Sequence, residues 1–215
     1  MASGLSQRPG MAVKRGIDLV FALLLMIATA PFLLLGALWV LLDDGSPVLF
    51  RQKRVGRDMR PFTITKLRTL KMHDIDPTHL GQVDDSTPLL TTSGRILRRL
   101  RIDELPQLMN VLSGDMSLVG PRPTLPEHAV SYDEYQARRL AMRPGLTGWA
   151  QVSGNTQLSW EDRILLDVWY VDRWSLALDW RILVETVRVV FEGEHVDEAR
   201  LKEAQNHADG SSRRS

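Results

Sequence analysis

The 215-residue chain sets 27 lysines and arginines against 26 acids, a formal net charge of +1, and that balance argues against a nucleic-acid binder. Its 44% hydrophobic and 25% charged residues are ordinary for a single folded unit of this length. The absence of cysteine excludes a disulfide framework, a thiol nucleophile and a cysteine zinc site; His73, His79, His128, His195 and His207 include no pair spaced as ligands on one helix face, so a metal, if bound, is held by oxygen.

The first element is apolar. From Ile17 to Leu42 the only ionisable residue is Asp18, and a helix rising about 1.5 Å per residue over that stretch exceeds the roughly 30 Å of a bilayer's hydrocarbon layer. Ala28-Thr29-Ala30 resembles a signal-peptide cleavage site, but Pro31 follows it directly and the apolar run continues to Leu42, which favours retention of the segment. Arg8, Lys14 and Arg15 precede it, while Arg51, Lys53, Arg54, Arg57 and Arg60 follow, so both flanks ask to be cytoplasmic. A straight, tilted crossing with a mild proline kink satisfies one flank. A helix that enters, breaks near Pro31 and returns satisfies both, because proline removes a backbone donor and crowds the preceding turn, leaving groups for which Thr29 is a nearby partner. Residue pattern alone leaves these two routes open.

After the turn Asp43-Asp44-Gly45-Ser46-Pro47, Val48-Leu49-Phe50 and Phe62-Thr63-Ile64-Thr65 read as short extended pieces, with a turn at Val55-Gly56-Arg57-Asp58. Residues 73–93 are polar and read as a long surface loop suited to moving over a site. Gly94–Leu100 forms an amphipathic helix with Arg95, Arg98 and Arg99 on one face. Asp103 then caps a helix through Leu105–Leu112, with Pro106 in its first turn and Gly114 as its stop. Pro121-Arg122-Pro123 stiffens the chain before a helix from about Glu127 to Met142, and Pro144-Gly145 with Gly148 marks a tight loop. Helical periodicity returns over Trp160–Trp174 and Leu178–Phe191, and the polar tail from about His195 is expected to fray. Five of the six tryptophans lie between 149 and 180, where they serve either the core or a membrane interface.

Two adjacent acids carry the chemical interest. Asp103 and Glu104 converge on one ligand only at a helix entry, where free amides and the dipole lower carboxylate pKa values and attract phosphate. A plain N-cap followed by a first-turn acid is the simpler reading. Against it stand Arg95, Arg98, Arg99 and Arg101 just before the acids and Arg122 after them, an arrangement of either structural ion pairs or a phosphoryl-transfer site. Such a site needs cations on the non-bridging oxygens, for which Mg2+ on carboxylate oxygen is the natural ion. Arg51 to Lys71 holds eight basic residues and one acid, Asp58, which suits anionic inner-leaflet lipid headgroups or a diphosphate; Lys66 and Arg68 are the candidates for substrate contact.

Taken together, Lys14-Arg15 with Asp18, the interrupted apolar segment, Lys66-Leu67-Arg68, Asp103-Glu104-Leu105-Pro106-Gln107, Gly114 through Pro123 and Pro144 through Trp149 resemble the bacterial sugar transferase family, the monotopic polyprenyl-phosphate phosphoglycosyl transferases. The likeness runs from about residue 12 to 191 and is closest to the minimal form, without the extra N-terminal transmembrane domain of larger members. It implies an α+β, mostly helical fold. Residues 1–46 would form a basic flank and a re-entrant helix broken at Pro31, residues 47–194 a catalytic domain with interfacial amphipathic helices on the cytoplasmic face of the bacterial inner membrane, and residues 195–215 a flexible tail. The resemblance also implies transfer of a sugar-1-phosphate from a UDP-sugar to polyprenyl (undecaprenyl) phosphate by a ping-pong route that releases UMP, as a first membrane step in glycoconjugate or exopolysaccharide synthesis. In that scheme Asp103 is the nucleophile, Glu104 is a Mg2+ ligand or a proton acceptor, and both acids are candidate metal ligands. Arg98 and Arg122 match phosphate- or nucleotide-binding positions, and Asp167 matches a family carboxylate. Asn155 departs from the arginine that many members carry. Two other readings are a membrane-bound, Mg2+-dependent phosphohydrolase and a non-catalytic, membrane-tethered anion-binding scaffold.

Overall fold

The computed structural model describes residues 10–71 and 89–212. Arg8 and most of the expected polar loop therefore lie outside the described residues. The architecture is mostly helical α+β. A long helix α1 (Met11–Asp44) leads into an antiparallel hairpin of β1 (Leu49–Val55) and β2 (Pro61–Leu67), joined by a 3-10 turn at Arg57–Met59. Helix α2 (Thr92–Arg99) is capped by the Thr91 side chain, which accepts from the Gly94 amide.

Asp103 does not cap an α-helix. It lies within a 3-10 turn, Ile102–Gln107, entered through Arg101 at φ 58°, and helix α3 (Leu108–Ser113) begins only afterwards and ends at Gly114. Pro106, which lacks an N–H, is accommodated in this tighter turn. A pair of strands the periodicity did not mark, β3 (Ser117–Val119) and β4 (Gly145–Thr147), runs parallel with Ser117 opposite Gly145 and Val119 opposite Thr147. The glycines allow this approach: a Cβ on Gly120 would lie 2.4 Å from the Arg143 carbonyl oxygen.

The single helix expected over about 127–142 is divided into α4 (Pro126–Val130), α5 (Glu134–Ala137) and a 3-10 turn at Arg138–Ala141. Asp133 and Gln136 form a reciprocal capping box that starts a new turn there. Four helices complete the chain: α6 (Trp149–Val152), α7 (Trp160–Arg173), α8 (Leu176–Glu192) and α9 (Glu198–Ser212). The polar tail is thus largely helical where fraying was expected. Ala204 is buried in the main core, Arg200 forms two hydrogen bonds with Glu185, and His207 contacts Asp172 at 2.6 Å. Polar composition concealed a helix held by ion pairs together with Ala204 and Leu201 packed on the main core. Trp149 stacks on Trp169, and both are buried with Trp174, whereas Trp180 is exposed on α8 along with Val184, Val187 and Phe191.

Helix α1 is long and apolar enough to cross a membrane by length and composition, and it continues through Pro31. Thr29 donates to the Leu25 carbonyl at 2.7 Å, not to Ile27, whose partner the proline removes. Both ends of α1 are bonded to the same domain. Near its start, Lys14 donates to the Val119 carbonyl and pairs with Asp179, Arg15 donates to the Val111 and Leu112 carbonyls, and Asp18 accepts from Ser117 and the Leu118 amide. Near its end, Val40 is buried with Leu67 and Leu97, and Asp44 pairs with Arg68 at 2.9 Å. A Cβ on Gly36 would meet Leu97 and Leu67 at 3.0 and 3.1 Å, so the small residue lets the helix sit down on the hairpin and α2. Between these anchors the outward face exposes Leu23, Leu24, Ile27, Phe32, Leu34 and Leu35.

The Lys14–Asp179 contact is 2.6 Å with both side chains nearly buried, and Tyr170 and Trp174 also donate to Asp179. Lys14→Met strands a buried carboxylate and should cost about 3–5 kcal/mol, measurable as a lowered denaturation midpoint of the purified protein in detergent.

Candidate active site

Lys66 at the end of β2, the arginines of α2, the Asp103-Glu104 turn, Arg122 after β3 and the end of α8 meet around one cleft of about 650 Å³. The left-handed conformation of Arg101 reverses the chain just ahead of the acids. Asp103 is only 6% exposed. Burial raises its carboxyl pKa, the adjacent Glu104 raises it further, and Lys66, Arg98 and Arg101 pull the other way, leaving it at about 6.

Glu104 has the opposite balance. Burial by itself would raise its carboxyl, but Lys66, Arg122 and Arg101 together hold it well below the usual carboxylate range. Lys66 Nζ is 2.6 Å from Glu104 Oε1, and Arg122 is 3.8 Å from the same oxygen. Two neighbouring carboxylates are thereby differentiated, one firmly ionised and one titrating near neutrality. Arg98 Nε donates to Thr69 at 2.9 Å, which orients that guanidinium on the cleft wall.

The structure brings Asp103, Glu104, Lys66, Arg98 and Arg122 to one place, while the other two candidate positions have different surroundings. Arg68 borders the cleft, but its guanidinium is engaged with the Asp44 carboxylate and the carbonyls of Asp44 and Gly45, tying down the C-terminus of α1. Asp167 is fully buried and paired with Arg139, whose guanidinium also donates to Tyr132 and to the Arg122 carbonyl. It therefore supports the backbone of Arg122 from behind and does not line the cleft. Sequence reasoning missed Arg54, half-buried beside Arg122 with its pKa lowered to about 10 by desolvation and then by that arginine, and it missed Glu194. The only available signal for Arg54 was its inward register on β1, since it pairs with Phe62 of β2.

An anchored apolar helix packed on an α+β domain, with a buried acid pair inside an arginine-rich cleft, defines a membrane-associated protein built to handle phosphorylated substrates. The bacterial sugar transferase family model matches residues 10–193, and the chain belongs to that family. It is 47% identical over 188 residues to the uncharacterized sugar transferase EpsL of Bacillus subtilis (strain 168), covering 87% of this chain and 92% of that protein. It is 45% identical to a UDP-glucose:undecaprenyl-phosphate glucose-1-phosphate transferase of Caulobacter vibrioides, covering 81% of this chain and 68% of the relative. An undecaprenyl-phosphate galactose phosphotransferase of Salmonella typhimurium is 34% identical, with 87% of this chain matching 42% of that longer protein.

The contrast between two basic residues gives a test. Lys66→Met removes a cation from the cleft and should weaken inorganic pyrophosphate binding about tenfold, or ~1.4 kcal/mol, in a titration calorimeter. Arg68→Met, by releasing the end of α1, should lower the melting temperature while changing pyrophosphate affinity far less.

Proposed function

We propose that this chain transfers a sugar-1-phosphate from a UDP-sugar to undecaprenyl phosphate and releases UMP, with Asp103 as the nucleophile. The observation that carries this reading is the Asp103 carboxylate, buried beside Glu104 and flanked by Lys66, Arg98 and Arg101 in the cleft, its pKa raised by burial and then by Glu104. The activities named for the relatives support the substrate pair.

In the first half-reaction an Asp103 carboxylate oxygen attacks the phosphorus that bears the sugar. A bond forms between them, and the bond from that phosphorus to the UMP oxygen breaks with its electron pair leaving on UMP. Lys66, Arg98 and Arg122 supply positive charge for the phosphate oxygens as the charge shifts. In the second half-reaction an oxygen of undecaprenyl phosphate attacks the same phosphorus, and the aspartyl bond breaks, returning Asp103 as carboxylate and leaving the sugar on a polyprenyl diphosphate. A neutral carboxyl cannot begin this sequence, so the raised pKa of Asp103 places the acid limb of activity near neutrality.

Asp103 and Glu104 fit Mg2+ by their chemistry. They are adjacent hard oxygen donors, and Mg2+ takes one or two carboxylates together with substrate phosphates and water. Bound there, the ion would neutralise charge on the transferring phosphate. Lys66 and Arg122, which help hold Glu104 well below the usual carboxylate range, make it a weak proton acceptor.

The membrane route is a further part of the proposal. Helix α1 would dip into the cytoplasmic leaflet of the inner membrane and return at a bend near Pro31, with the cleft on the cytoplasmic side and the basic hairpin against anionic headgroups. Support comes from both ends of α1 being bonded to one domain, since a straight crossing would put those ends on opposite sides of the bilayer.

Asp103→Asn should abolish UMP release from a UDP-sugar and the phospho-sugar adduct detected on the intact protein by mass spectrometry; normal turnover would remove the covalent mechanism. For the wild type, kcat/KM for the donor should rise with pH up to about 6 and fall about tenfold per unit below it, and a flat profile between pH 5 and 7 would contradict Asp103 as the ionising nucleophile. Single cysteines at Val13 and Leu42, tested with a membrane-impermeant thiol reagent on oriented vesicles, should label from the same side.

A further inference from the structure

One corner of the cleft is built around a residue just beyond the family match, which ends at Gly193. Glu194 follows α8 and lines the cleft with Arg101, Asn155 and Thr156. Its Oε1 accepts from Arg101 and from Asn155 Nδ2, each at 2.5 Å, and its Oε2 accepts from the Thr156 amide at 3.0 Å and from the Thr156 hydroxyl at 2.5 Å. Arg163 also faces this carboxylate. With two donors on each oxygen, Glu194 has little capacity left for a ligand.

Asn155 is different. It is 2% exposed at φ 42°, a backbone region uncommon for a residue with a side chain. The carboxylate opposite fixes which end of its amide is which, because only the nitrogen can donate to Glu194. The remaining Oδ1 has no donor among the described residues. A buried acceptor without a partner is costly, and in a residue that lines a substrate cleft it marks a place for a donor arriving from outside. The polar neighbours Arg101, Thr156 and Glu194 suit a hydroxylated ring or an N–H group, while Val189, Val190 and Phe191 line the same cleft.

We propose that Asn155 Oδ1 accepts a hydrogen bond from a hydroxyl or N–H of the UDP-sugar donor, and that Glu194 is the positioning residue that aims Asn155 for it. The inference rests on the nucleotide-sugar reading above. The donor group can belong to the nucleoside half or to the sugar half, so the binding probes are UDP and UDP-glucose.

Asn155→Gly tolerates the positive φ and deletes the acceptor. It should weaken UDP-glucose binding about three- to tenfold by calorimetry in detergent. Weakening of UDP-glucose alone assigns the contact to the sugar half; equal weakening of UDP assigns it to the nucleoside half. Glu194→Ala, which also releases Arg101, should produce at least the same loss, and Glu194→Gln, which keeps an acceptor for the Asn155 amide, should recover part of it. Unchanged affinity for both probes in Asn155→Gly, or no recovery in Glu194→Gln relative to Glu194→Ala, would overturn the proposal. If wild-type protein binds neither UDP nor UDP-glucose, the nucleotide-sugar reading itself fails, and this inference falls with it.

Discussion

The fold depends on the polar start of α1 being sunk into the domain. A lysine, an arginine and an aspartate just ahead of the uncharged stretch from Leu19 to Leu42 would be costly in hydrocarbon. Here each has partners: Lys14 meets Asp179 and Val119, Arg15 closes the last carbonyls of α3, and Asp18 meets Ser117 and the Leu118 amide. These contacts reach the two segments that flank the site. Helix α3 directly follows the Asp103-Glu104 turn, and Ser117–Val119 directly precedes Gly120-Pro121-Arg122. The long apolar helix is therefore bonded to the segment that follows the acids and to the one that precedes Arg122.

Burial of two adjacent carboxylates requires unequal treatment. If both were left to repel in a low-dielectric site, one would take a proton at neutral pH. Lys66 and Arg122 converge on Glu104, so it is the partner that remains charged, and Asp103 absorbs the repulsion. Breaking this arrangement from either side is expensive because the remaining ion is already out of water. A phosphate entering the cleft meets cations whose charges are only partly offset by the acids.

What could be read from sequence followed from range. The apolar run, the cationic helix and the paired acids are local patterns, and each stands at the place and in the class expected, apart from the 3-10 form of the acid turn. The β3–β4 pair joins short strands with no alternation to detect, and it forms because glycines permit close backbone approach. Arg68 resembled a ligand because it lies two residues from Lys66, yet β2 ends at Leu67 and the chain turns back toward Asp44. Asp167 faces Arg139 within the core, a pairing that spacing cannot reveal. Glu194 was hidden for the same reason: its partners Arg101 and Asn155 lie in distant segments, and nothing local sets it apart from Glu192, Asp197 and Glu198.

Both cleft residues with left-handed backbone, Arg101 and Asn155, donate to the same Glu194 oxygen. Each such conformation carries strain on the order of 1–3 kcal/mol unless its surroundings hold it, and one carboxylate at the end of α8 contributes to holding both. That helix exposes Trp180, Val184, Val187 and Phe191 along its length, so the element bearing the outward apolar stripe is also the one that fixes the turn leading into Asp103. Glu194, just past the end of α8, is thus joined to Arg101, two residues ahead of Asp103. The geometry of the acid pair is in this sense maintained from two sides, by α1 beneath Glu104 and Arg122 and by α8 across the cleft, and neither support is adjacent to the acids in sequence.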